Sequence, residues 1–138
     1  MGNIIRRLIP ISRYLLIIWV LLIITSSSIP GIPTPKIETA KSEIRLDYII
    51  HFIEYAGLAF LAVLSFTPSS LILNPKRIII ILAGLIVFAL ADEFHQLLIP
   101  DRTFNPVDIA SNIAGLVIGA LITYLLIRDL YRSSSKNP

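Results

Sequence analysis

Four apolar stretches, near residues 8–25, 48–66, 78–98 and 107–127, constrain this chain more than any other feature. A bilayer core about 30 Å thick takes roughly 20 mostly apolar residues at about 1.5 Å each, so every stretch is long enough to cross it as a helix. Turn-forming sequence separates them: SSSIPGIPTP after the first, TPSS and NP before the third, and IPDRTFNP before the fourth. Short links make successive helices antiparallel, so the chain reads as a single membrane domain, an all-α four-helix transmembrane bundle. A hydrophobic share of 55%, a charged share of 15% and a mean hydropathy of +0.80 exclude an ordinary water-soluble domain.

Charge fixes the expected orientation. Arg6, Arg7, Arg13, Lys76, Arg77, Arg128, Arg132 and Lys136 fall at one side of the spans, and Lys36, Lys41, Arg45 and Arg102 at the other. Basic residues are retained on the cytoplasmic side, so eight against four places both termini in the cytoplasm. The same placement explains the net charge of +3 without nucleic acid, since the basic residues flank apolar runs instead of forming a patch. Basic residues before the first run and Thr25–Ser28 after it also fit a cleaved signal peptide, but no A-x-A site follows and the later spans favour a retained anchor. Tyr124 and Tyr131 read as inner interface anchors, and the tail from 129 to 138 as disordered.

Cysteine is absent, which removes disulfides, thiolate metal sites and a thiol nucleophile, so any chemistry rests on oxygen and imidazole. The ionisable residues inside the spans therefore carry the functional information, because each costs about 2.5–3.5 kcal/mol at a helix centre unless partnered. In the second span Asp47, His51, Glu54 and Tyr55 follow at steps of three and four along one stripe. The third span ends in ADEFHQLLIP, with Asp92, His95 and Gln96 on one face and Glu93 turned about 100° from Asp92. In the fourth, Asp108, Asn112, Gly115 and Gly119 share a side, and the glycines form a GxxxG pattern that lets another backbone approach. With Arg102 in the preceding connector, all these polar residues lie in the outer half of the membrane, and a single polar nest there is the economical arrangement.

These residues resemble the VanZ-like family of small membrane proteins. Asp47, His51, Phe52 and Tyr55 look like its first motif, and Asp92, Glu93 and Gln96 like its second. Pro100, Arg102, Asp108, Asn112, Gly115 and Gly119 look like its third. Tyr48 departs from the pattern, standing where the family often has Lys, which leaves the outer rim without one phosphate-binding charge. The resemblance implies a multi-pass protein of a bacterial cell membrane and, through the founding member, a link to low-level teicoplanin resistance.

Three functions fit the nest. As a binding site it would hold a lipid-linked cell-wall precursor or lipoglycopeptide, with Arg102 on phosphate or carboxylate and Asp47, His51, Tyr55, Asp92, Glu93, Gln96, Asp108 and Asn112 on polar groups. As an intramembrane enzyme it would use His51 or His95 as base and Glu54 or Glu93 as partner. As a structural network it would pair Arg102 with Asp108 or Asp92 and His51 with Glu54 or Asp92. No cofactor or metal is expected, membrane lipids are the expected surroundings, and oligomerisation stays open.

Overall fold

The computed structural model describes residues 2–30, 36–39 and 42–136, with side chains over 4–30 and 46–135. Four helices follow in order: α1 (Gly2–Ser27), α2 (Leu46–Ser65), α3 (Pro75–Gln96) and α4 (Pro106–Lys136). Each is long and apolar enough to cross a membrane, as the sequence predicts. Between α1 and α2 lie two four-residue strands, β1 (Lys36–Thr39) and β2 (Ser42–Arg45), paired antiparallel with Lys36 opposite Arg45 and Thr39 opposite Ser42. Strands this short show no periodicity, which is why the sequence reading assigns no element there.

Two helices begin with the same device. Asn74 and Asn105 each precede a proline; the Asn74 side chain accepts from Lys76 N at 2.9 Å and that of Asn105 from Val107 N at 3.0 Å. The asparagine satisfies a free N–H of the first turn, and proline at the first position has no N–H to lose. At its other end α4 runs to Lys136, through residues read in sequence as a disordered tail. The Ser133 and Ser134 hydroxyls bond back to the Asp129 and Leu130 carbonyls, and Arg6 donates to Ser134, which ties this last part of α4 to the start of α1.

The centre of the bundle is the α2–α4 seam. Gly115 and Gly119 face α2 so closely that a Cβ on either would collide with the Phe52 or Ala56 backbone carbonyl. α1 packs on α2, α3 packs more on α4 than on α2, and α1 and α3 barely meet. Buried Tyr55, Leu58, Ala59, Val63, Leu116 and Ala120 fill the seam, and Ile5, Leu64, Ile127 and Leu130 continue it toward the end where the chain termini lie. The outward faces are apolar as well: Ile17, Ile18 and Leu21 on α1 and Ile79, Ile80 and Val87 on α3 are all exposed. An exposed apolar belt around a core of the same character is the pattern of a bundle whose surrounding solvent is lipid.

Candidate functional site

At the end of the bundle where α2 and α4 begin, the polar side chains converge. Asp92 of α3 is the hub. Its Oδ2 accepts from the Ser27 hydroxyl of α1 at 2.9 Å, from the Tyr55 hydroxyl of α2 at 2.9 Å, and from Gln96 Nε2 at 3.5 Å, the outer limit of such a contact. Three helices are thereby joined through one oxygen. Tyr55 is fully buried and Asp92 nearly so, and a buried polar group that lacked such partners would cost about 1–3 kcal/mol.

Glu93 points into the bundle as well. Its Oε1 accepts from Asn105 N at 2.9 Å, fastening the connector that leads into α4. The inward arc of α3 thus runs from Asp92 through Gln96 to Glu93, about 100° wide, while Phe94 faces out. His95, expected beside Asp92, lies off that arc and half-buried, and among the described residues no hydrogen bond ties it to the cluster. Phe94 instead stacks on Phe104 of the connector, with ring centroids 6.0 Å apart.

His51 and Glu54 come in from α2, Asp108 and Asn112 from α4. Glu54 lies within electrostatic range of His51, Asp92 and Arg102, and Glu93 within range of Asp108, His51 and Asp92. The structure thus brings His51, Glu54, Asp92, Glu93, Arg102 and Asp108 to one end, and leaves His95 outside the group. Asp47 is buried one helical turn before His51 at the start of α2.

Arg102 has a different set of partners from either acidic residue suggested by sequence. Its Nε and Nη2 donate to the Ile29 carbonyl at 3.3 Å, and Nη2 also to the Ser26 carbonyl at 3.4 Å. The guanidinium thus caps the end of α1, where carbonyls lack helical partners and a cation suits the dipole. Asp101, with φ of 63°, makes the left-handed turn from which Arg102 reaches α1. None of these bonds uses Nη1.

Four buried polar atoms in the cluster have no hydrogen-bond partner among the described residues: His51 Nδ1, Glu93 Oε2, and both amide atoms of Asn112. Glu93 and Asn112 are completely buried. Buried side-chain polar atoms are nearly always paired, so this concentration is the strongest chemical signal in the chain. A half-buried imidazole near carboxyl groups has the composition of a general base, but among the described residues no hydrogen bond orients the His51 ring toward Glu54 or Asp92. Among the described residues no three His, Asp or Glu side chains are grouped to hold a metal ion.

Sequence reasoning misses three participants. Ser27, treated as part of a turn, bonds Asp92; Asn105 joins Glu93 through its backbone; and Trp19 donates its indole N–H to the Glu54 backbone carbonyl at 2.8 Å. A triple serine closing an apolar helix is the signal that could have placed Ser27, since hydroxyls there serve as interhelical donors.

The model of the VanZ/LLP1 family matches residues 12–128, most of the 138-residue sequence, and its span includes every residue of the cluster. No curated protein and no solved structure matches the chain.

Proposed function

The chain belongs to the VanZ/LLP1 family, and from that premise we propose that its polar cluster binds the head of an amphiphile, a lipid-linked cell-envelope intermediate or a lipoglycopeptide of the teicoplanin type. The observation that carries this is the Asn112 amide, completely buried and, among the described residues, with neither its donor nor its acceptor used, beside Glu93 Oε2 and His51 Nδ1 in the same condition. An amide offers two donors and an acceptor in one plane, and with a carboxyl and an imidazole it suits the hydroxyls and amines of a sugar or peptide. Arg102, held by Nε and Nη2, offers Nη1 to a phosphate or carboxylate. The apolar belt beside the cluster gives a lipid tail its continuous surface.

The cluster faces outward from the cytoplasm in this proposal, in a bacterial cell membrane. The eight basic residues at the opposite end support that orientation. Reporters fused at residue 70 should score inside and at residue 103 outside; the reverse result transfers the site to a cytoplasmic ligand.

Trp19 is the one tryptophan of the chain and bonds the Glu54 backbone carbonyl at the edge of the cluster, so its fluorescence is the probe of the site. Titration with teicoplanin and with a polyprenyl-diphosphate-linked sugar should give saturable binding of at least one of them by the wild type. Asn112→Leu should weaken that binding at least tenfold. Non-saturable signals, or equal binding by the variant, would sink the proposal.

A further inference from the structure

The polar cluster holds α3 against α1 and α2 at one end, and toward the other end these helices part. Between them lies a cavity of about 950 Å³, walled by Leu58 of α2 and by Ile81, Leu85 and Phe88 of α3, with Arg13, Lys76 and Arg77 among its lining. Among the described residues no acidic side chain lines it. Gly84 borders its open space: a Cβ there would meet nothing within 4 Å. Arg77 donates Nη1 to the Phe66 carbonyl at 3.3 Å at the end of α2, which fixes its guanidinium at the mouth.

We propose that this cavity seats one acyl chain of an anionic glycerophospholipid, whose phosphate lies on Arg13, Lys76 and Arg77. Length supports the match. From Arg77 to Phe88 is 11 residues of α3, about 16 Å at 1.5 Å each, against about 15 Å for one leaflet of a 30 Å hydrocarbon core. The cations stand where the apolar stretch of α3 begins, the depth of a headgroup, and the wall beyond them is aliphatic and aromatic. Basic pockets between membrane helices recognise anionic headgroups, and three cations without an acidic neighbour in the cavity favour a net negative head over a zwitterionic one. This site is independent of the polar cluster, and it lies in whichever leaflet holds the chain termini.

Native mass spectrometry of the full chain, released from micelles containing equimolar phosphatidylglycerol and phosphatidylcholine, tests it. Wild type should keep one phosphatidylglycerol with at least a tenfold preference. Arg13→Gln with Lys76→Gln, which leaves the Arg77 tie to α2 intact, should abolish the preference. Gly84→Trp should fill the cavity and lose both lipids, with helix content by circular dichroism unchanged, whereas Asn112→Leu at the far end should retain phosphatidylglycerol like wild type. Equal retention of the two lipids by wild type, full retention by Gly84→Trp, or a lipid-free dimer as the dominant species would each overturn the proposal, the last by placing a second copy of the chain in the cavity.

Discussion

At one end of the bundle α1, α2 and α3 meet through the three donors on Asp92; toward the other, the same helices separate around a cavity of about 950 Å³. The difference follows from the solvent. In a bilayer, apolar side chains gain little by leaving lipid for one another, so close approach depends on hydrogen bonds and on small residues that let backbones touch. α2 and α4 have the small residues, Gly115 and Gly119, and pack along the seam. α3 has the hydrogen bonds, gathered in its last turns apart from the single Arg77 tie to Phe66 in its first, and between those ends little binds it to α1 or α2.

The largest effect that would break this contrast is expected at the seam, which serves both ends. Gly119→Leu places a branched side chain against the Ala56 backbone and should destabilise the fold by about 3 kcal/mol, read from unfolding in mixed micelles. An unchanged unfolding midpoint would mean that the seam is not closed. Next comes Asp92→Leu, which leaves the Tyr55 and Ser27 hydroxyls without an acceptor and should cost about 2 kcal/mol. Amide exchange should then rise in α3 more than in α4; uniform exchange would show that Asp92 is no clamp.

A change of opposite sign sharpens the comparison within the polar end itself. Asn112→Leu removes two unpaired buried atoms and should stabilise the apo protein by about 1 kcal/mol while ligand binding is lost. A destabilised variant would show that the Asn112 amide has a structural partner. The smallest effect belongs to Gly84→Ala, whose added methyl meets open space and should move stability by less than about 0.5 kcal/mol in either direction.

Much of this was legible in the residues, for reasons that differ by element. The helices announce themselves because about 20 apolar residues in lipid have few folds available. Asp92, Tyr55 and Asn112 could be gathered at one end because α2 and α4 start where α3 stops, which antiparallel neighbours require. Partners within the cluster could not be read. Read as part of a structural network, Arg102 pairs with Asp108 or Asp92, but the carbonyls at the end of α1 hold it, since an unfinished helix terminus offers acceptors that no side-chain pattern displays. Glu93 and His95 exchange the roles that their spacing from Asp92 assigns them, because the inward arc of α3 turns toward α4 and its connector. Ser27 stayed hidden because a serine after an apolar run reads first as a helix stop.

The bonds on Asp92 also carry an order in time. A chain made from its N terminus delivers α1 and α2 to the membrane before α3, so Ser27 and Tyr55 are in place when the carboxyl group arrives. An acidic side chain that enters hydrocarbon alone is costly, and here its donors precede it. A circular permutant that begins at α3 would reverse that sequence: the finished bundle would contain the same contacts, but the nascent chain would have to insert Asp92 before either hydroxyl existed to receive it.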